Sequence, residues 1–339
     1  MKQRIISPSV GNGFIRSALG KKMNVPSMGT GFFRSALGTE GKHRNDTLFP
    51  KADRMNPFPT IIVLIILFLL LSCQPKQKNT ILRIGYTNYS IDQAVAFVLK
   101  GILDQQPNLI VELYKIPEDS LMFKALREDD LDIAVSVWLP LTHKEYIDKY
   151  PYEIVTFSPL CDSIGLYMIV PSYSTLIKIE ELRTVAPLLK NTILIPENQN
   201  AIYEFGKDVI RDYNLTNYQL QETTWDNILA YIDESINNSS GFAFIGLRPH
   251  WIFQKYEIKT LEDTRFSFGI YEQAHILTNA KFYERMPTIA GFLEQVQFTL
   301  NDIEYIMELN QTLGSEPYEN ALKWINQNTF KINRWLIEH

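Results

Sequence analysis

From Ile81 onward the chain alternates short apolar runs with segments whose apolar residues recur every three or four positions. The first pattern fits buried strands and the second fits helices with one face turned to a core. Ile81-Leu-Arg-Ile-Gly-Tyr86 reads as a strand, and Asp92 to Leu103 as a helix carrying Val95, Val98, Leu99 and Ile102 on one side. Ile110 to Tyr114 is a strand again, Ser120 to Arg127 a helix, and Leu131 to Val137 a strand that runs straight into Trp138. This β-α-β-α-β succession predicts a parallel α/β sheet. Such sheets bind ligands beyond the carboxyl ends of their strands, where Asn88, Tyr89 and Trp138 fall.

A second α/β unit follows. Ile193-Leu-Ile195 reads as a strand, Ala201 to Tyr213 as a helix with Ile202, Phe205, Val209 and Ile210 on one face, and Phe242-Ala-Phe-Ile245 as another strand. A strand from Tyr271 to Leu277 and a helical tail from Pro287 to Leu336 suggest a return to the first unit. Two lobes are therefore expected: 81–165 with 266–339, and 166–265.

The first 72 residues have a different character. Ile61 to Leu71 is an unbroken apolar run of eleven residues. That is too short for the roughly 20 residues that span a bilayer, and the right size for the core of a signal peptide. It ends in Leu70-Leu-Ser-Cys73, an apolar pair, a small residue and a cysteine, which is the pattern of bacterial lipoprotein processing. Residues 55–72 are accordingly expected to be a signal peptide, Cys73 to become the acylated first residue, and 73–80 to be a linker. Upstream, Pro8 to Gly20 returns almost unchanged as Pro26 to Gly38. Two copies are too few to build a solenoid. Residues 1–54 therefore read as an extension ahead of the true start, with Met55 one candidate start and Lys51 and Arg54 the positive flank a signal peptide usually has.

Charge supports the division. Residues 1–72 hold ten Lys or Arg against three Asp or Glu, and the remainder holds 23 against 35, a net charge of −12. An acidic domain of this size has little means of neutralising phosphates, which excludes a nucleic-acid partner. Once Cys73 is acylated, Cys161 is the only cysteine left, so an intramolecular disulfide is excluded and Cys161 reads as a core residue. No Gly-x-Ser-x-Gly elbow and no His-Glu-x-x-His spacing occur, and the five histidines at 43, 143, 250, 275 and 339 are scattered. Neither an enzyme nor a metal or other cofactor is expected. The acidic stretch Glu128 to Asp132 reads as a solvated turn.

Two segments point to a family. Val137-Trp-Leu-Pro-Leu-Thr-His143 and Arg248-Pro-His-Trp-Ile-Phe253 resemble the Trp-Leu-Pro-x-Thr-His and Trp-x-Pro-His-Trp segments of substrate-binding proteins of ABC importers for glycine betaine and related quaternary ammonium solutes. The resemblance runs from about Ile81 to the end, and one residue departs: Leu247 stands where the second segment normally has its first Trp. It implies a two-lobed periplasmic binding protein fold of type II, with ligand in the cleft between lobes. It also implies an extracytoplasmic location on a bacterial membrane, held there by Cys73, with ABC permease subunits as partners.

A quaternary ammonium group has no proton to donate, so a protein holds it with the negative faces of aromatic rings and with apolar contacts. In the family three Trp form that box, and residue by residue they fall here on Tyr89, Trp138 and Leu247. The carboxylate of a betaine meets backbone N–H groups at a helix start and the His of the first segment, which become Ala201, Ile202 and His143. The physics of a helix N-terminus agrees, since its first turn offers unpaired donors and a positive dipole end. Asn198-Gln-Asn200 is expected to supply the cap. His250 and Trp251 are expected to anchor the turn between the lobes, and Trp225, chiefly a core residue, is the candidate to replace the lost ring. The same fold serving a different small solute or a sensory partner is the alternative reading.

Overall fold

The computed structural model describes residues 79–337; the repeat, the apolar run and Cys73 lie outside them. Strand β1 (Thr80–Tyr86), helix α1 (Ser90–Leu103), strand β2 (Leu109–Lys115), helix α2 (Asp119–Arg127) and strand β3 (Ile133–Leu139) follow one another. The three strands are parallel, with β1 between the other two. Helix α1 forms because its apolar residues recur at helical spacing, and Val95, Val98, Leu99 and Ile102 all bury against the sheet. Burial of one such side chain contributes about 1.5–3 kcal/mol, so this face dominates the helix's docking.

After the short helix α3 (Lys144–Lys149) comes the element that joins the lobes, the 18-residue strand β4 (Ile154–Pro171). The second lobe then contains α4 (Leu182–Val185), β5 (Thr192–Pro196), α5 (Asn200–Asp212), β6 (Gln219–Thr223), α6 (Trp225–Asn237), β7 (Phe244–Arg248), α7 (Ile252–Lys255) and β8 (Ile258–Thr260). The chain returns through β9 (Glu272–Asn279) and closes the first lobe with α8 (Phe282–Arg285), α9 (Pro287–Gln295), α10 (Leu300–Gln311), α11 (Pro317–Gln327) and α12 (Thr329–Ile337).

Strand order is β2-β1-β3-β9-β4-β7-β5-β6, with β8 also on β4. The first half of β4 pairs antiparallel with β9 as far as Ile164 with Glu272; from Gly165 with Arg248 onward it pairs with β7. One strand thus belongs to both sheets, and the change of partner falls at Ser163 (φ 60°) and Gly165 (φ 154°). Alternation along the second half of β4 feeds two cores: Met168 and Val170 pack with Ile202 and Val209 of α5, whereas Tyr167 and Ile169 pack with Ile228 and Ile232 of α6. The first lobe's core joins α1 and the sheet to Phe298, between α9 and α10, and to Trp324 and Trp335 of the last two helices.

Three sequence expectations need correction. The strand expected over Phe242–Ile245 begins at Phe244 and extends through Leu247 to Arg248; the Ala243 carbonyl already accepts the Leu194 N–H at 3.0 Å, just outside the ladder. Gln199 occupies the N-cap of α5 and makes no side-chain capping bond, so the Asn198 to Asn200 stretch does not cap as expected. Asp132 is not part of a solvated turn. It is buried, accepting from the Arg83 backbone N–H at 2.7 Å and from that residue's guanidinium at 3.0 and 3.1 Å, with Arg285 on its other side.

Candidate functional site

Four strand ends carry the candidate residues, two in each lobe. In the first lobe Tyr89 is the N-cap residue of α1, just past the end of β1, and is 60% exposed. Trp138 lies near the end of β3, half-buried against the first lobe's core. The register between β3 and β9 shifts between Ala134 and Val137, where Ser136 takes φ 56°. A bulge of this kind changes which face the following residues present, and Trp138 follows directly.

The loop after Trp138 is held from behind. Glu272 of β9, itself buried, accepts the backbone N–H groups of Leu141 and Thr142 at 2.9 and 2.8 Å and the Thr142 hydroxyl at 2.6 Å. The Trp138 N–H donates to His143 Nδ1 at 2.8 Å. Nδ1 is therefore an acceptor, and the neutral ring carries its proton on Nε2. His143 is 5% exposed, packed against Phe123 and Tyr146. Its Nε2 stands 3.2 Å from Asp119 Oδ2, yet it is not aligned for a hydrogen bond and has no other partner. The contact is thus a close charge proximity rather than a directed bond. The sequence reading gave His143 to the ligand; here one nitrogen holds the Trp138 turn and the other faces a carboxylate of α2.

Asp92 completes this half. Only 3% exposed, it accepts the Thr87 N–H at 3.2 Å and the Thr87 hydroxyl at 2.6 Å. Burial pushes its carboxyl up to about 7, against the opposing pull of the Thr87 bonds. The Tyr89 phenol is raised as well, first by partial burial and then by the charges of Asp119 and Asp92.

In the second lobe β5 leads into α5 through Glu197, Asn198 and Gln199, all exposed. Ala201 is exposed in the first turn of α5, while Ile202 is buried in the core beneath it. Leu247 lies opposite Leu166 in the β4/β7 ladder and is 38% exposed. Leu166 packs with the cluster that contains Ile202 and Ile245, so Leu247, paired to it, stands on the α5 side of the sheet. Its neighbour Arg248 points to the opposite face, where Glu304 of α10 binds it at 2.7 and 3.2 Å. The Leu139-Pro140 and Arg248-Pro249 bonds are both cis, one residue after Trp138 and one after Leu247.

The structure therefore gathers Tyr89, Trp138 and His143 on one lobe, and Ala201, Ile202 and Leu247 on the other, at corresponding strand ends. Trp225 belongs to neither group: it starts α6 and stacks on His250 at 4.9 Å with the rings 10° apart. His250 in turn contacts Trp251, which packs against cores of both lobes. Burial pushes the His250 imidazole down to about 4, so it is neutral. Sequence reasoning missed Glu272, Asp92 and Asp119. Nothing in their spacing ties them to the Trp138 segment, since Glu272 reaches it from 130 positions downstream. Among the described residues no group of three or more His, Cys, Asp or Glu could hold a metal ion, and no helix is long and apolar enough to cross a membrane.

Comparison with known proteins places these features in a family. The model for the substrate binding domain of ABC-type glycine betaine transport systems matches residues 81–327. The glycine betaine/carnitine transport binding protein GbuC of Listeria monocytogenes is 29% identical over 132 residues, covering 38% of this chain and 43% of that one, so the match spans under half of that relative. Among solved structures, the closed, glycine betaine complex of lactococcal OpuAC is 24% identical, with a TM-score of 0.57 over 76% of this chain and 100% of that one. The glycine betaine and L-proline binding protein ProX of Borrelia burgdorferi is 23% identical, with a TM-score of 0.56 over 76% and 97%. The fold is that of the type II periplasmic binding proteins, and the chain belongs to the family of substrate-binding domains of ABC-type glycine betaine transport systems.

Proposed function

We propose that this chain captures a small quaternary ammonium solute outside the cytoplasmic membrane and presents it to the permease subunits of an ABC importer. The observation that carries the reading is the pair of rings, Tyr89 and Trp138, at adjacent strand ends of the first lobe. An ammonium centre against such faces gains about 0.5–2 kcal/mol per ring, with the larger value when water is excluded. The second lobe supplies the α5 N-terminus and Leu247 on the same side of its sheet. Closure about the shared strand β4 would bring the halves together and bury the solute, and the closed form would be what the permease recognises.

Titration calorimetry with glycine betaine, choline, carnitine and amino acids tests this. Saturable heats with at least one quaternary ammonium ligand and none with ordinary amino acids are expected; the reverse would overturn the assignment. A second reading, the same fold serving a different solute or a sensory partner, rests on Leu247, which offers no ring where the family segment has Trp.

The reading includes a lipid anchor at Cys73, supported by the Leu-Leu-Ser-Cys ending of the apolar run. Labelled palmitate should enter the protein in a bacterial host and be absent from Cys73→Ala. Equal labelling of both would remove the anchor from the proposal.

A further inference from the structure

The residues at the strand ends carry an uneven charge. In the first lobe, the segments 87–92, 116–123 and 138–143 contain Asp92, Glu118 and Asp119 and no Lys or Arg. In the second, 196–202 contains Glu197 and no basic residue. The one guanidinium at a strand end, Arg248, faces away from Leu247 and is neutralised by Glu304. Among the described residues, the strand ends that carry Tyr89, Trp138, Ala201 and Leu247 thus hold no unneutralised cation, and the nearest strand-end cation is the exposed Lys115, which closes the neighbouring strand β2 opposite Tyr86.

The side-chain donor that the family resemblance assigns to a ligand carboxylate is His143. Its Nδ1 is committed to the Trp138 N–H, which leaves Nε2, and the nearest acceptor there is Asp119 Oδ2 at 3.2 Å. Nε2 is buried and otherwise unpartnered. An anionic ligand group reaching this N–H would come within a few Å of the Asp119 carboxylate. Two like charges at that range repel appreciably at the effective dielectric of a partly buried site. An ammonium group gains from the same charge.

We propose that Asp119 is a specificity-determining residue that turns this cleft toward net cations, such as choline, and away from zwitterions such as glycine betaine. The inference rests on the quaternary ammonium reading above and narrows it. Asp119 does not close the site to betaine by shape. It takes the place beside Nε2 that a ligand carboxylate would need, and discrimination is a difference between two affinities. The α5 N-terminus still offers backbone donors to an oxygen, which suits the hydroxyl of choline as well as a carboxylate.

The test is titration of the full-length protein and of Asp119→Asn with choline and glycine betaine at low and high salt. The wild type should bind choline at least about tenfold more tightly, a ratio that shrinks as salt rises. Asp119→Asn removes the charge with little change of shape and should bring the two affinities within about threefold, chiefly by strengthening betaine. Asp119→Glu, which keeps the charge, should keep the preference; this guards against a loss caused only by disturbing the start of α2. If glycine betaine binds the wild type as tightly as choline, or if Asp119→Asn leaves the ratio unchanged, the selectivity inference is overturned while the quaternary ammonium reading stands. If neither ligand binds, both fall.

Discussion

Arg248 and Glu304 form the tie between the second lobe's last central strand and the first lobe's helix α10, and their removal has a calculable cost. Glu304 is 1% exposed and its carboxylate accepts two guanidinium N–H bonds at 2.7 and 3.2 Å. Burial raises the Glu304 carboxyl even with Arg248 present to oppose it. Arg248→Met would keep most of the apolar stem, which lies against Phe253, but would strand the carboxylate. Breaking a buried pair from one side costs about 3–5 kcal/mol.

The sign of its pH dependence follows. Without Arg248 the folded-state carboxyl rises further above its unfolded value, and a raised carboxyl stabilises at low pH and loses that contribution as pH rises. The deficit of Arg248→Met should therefore be largest near pH 8 and smaller near pH 5, where Glu304 can neutralise itself. Arg248→Met with Glu304→Leu removes both charges and should recover most of the loss. Urea unfolding of the wild type, both single variants and the double variant gives the coupling directly. A single-variant loss below about 1 kcal/mol, or strict additivity in the cycle, would refute the claim that this pair is a buried tie.

Other outcomes are open to measurement. Trp138→Ala should weaken quaternary ammonium binding by about twofold to thirtyfold in calorimetry, the value of one cation–π face. Leu247→Trp should strengthen it by a similar factor, because the 38% exposure of Leu247 leaves space for a ring; a folded variant with unchanged affinity would place Leu247 outside the cleft. Asp92, raised to about 7 by burial, should make the wild type lose stability as pH climbs from about 4 through 7, a slope that Asp92→Asn flattens in thermal melts.

Much of this fold is legible in the sequence because its strands and helices are locally consistent. β1, α1, β2 and α2 fall within a residue or two of where periodicity puts them. The long strand β4 escapes such reading for a physical reason. It is buried on different faces in its two halves, breaks at Ser163 and Gly165, and contains Pro159, so neither alternation nor a single apolar run marks it. Tyr89 and Trp138 sit at strand ends and are reached by chain order, whereas Leu247 is reached only through the family segment. The groups that orient them are not: Glu272, Asp119 and Asp92 act through contacts formed only on folding. Acidic side chains in a sequence read as solvent-facing by default; Glu272 and Asp92 are drawn inward by backbone N–H groups and a hydroxyl, and Asp119 is half-buried beside the His143 imidazole.

That inward pull also explains why His143 does two jobs with one motif. Five residues after Trp138, it lies close enough to accept that residue's N–H, which fixes the turn that carries the ring. The same bond fixes the tautomer, so the remaining N–H is on Nε2, the atom that lies 3.2 Å from Asp119 of α2. With a neutral side chain there, Nε2–H would be free for a ligand oxygen; with Asp119 there, it is set beside a negative charge. On the selectivity proposed above, the motif that positions Trp138 is separable from the group that would decide between zwitterion and cation. On that proposal, a family segment can persist while a residue of a neighbouring helix, invisible to the segment itself, would reset what the cleft accepts.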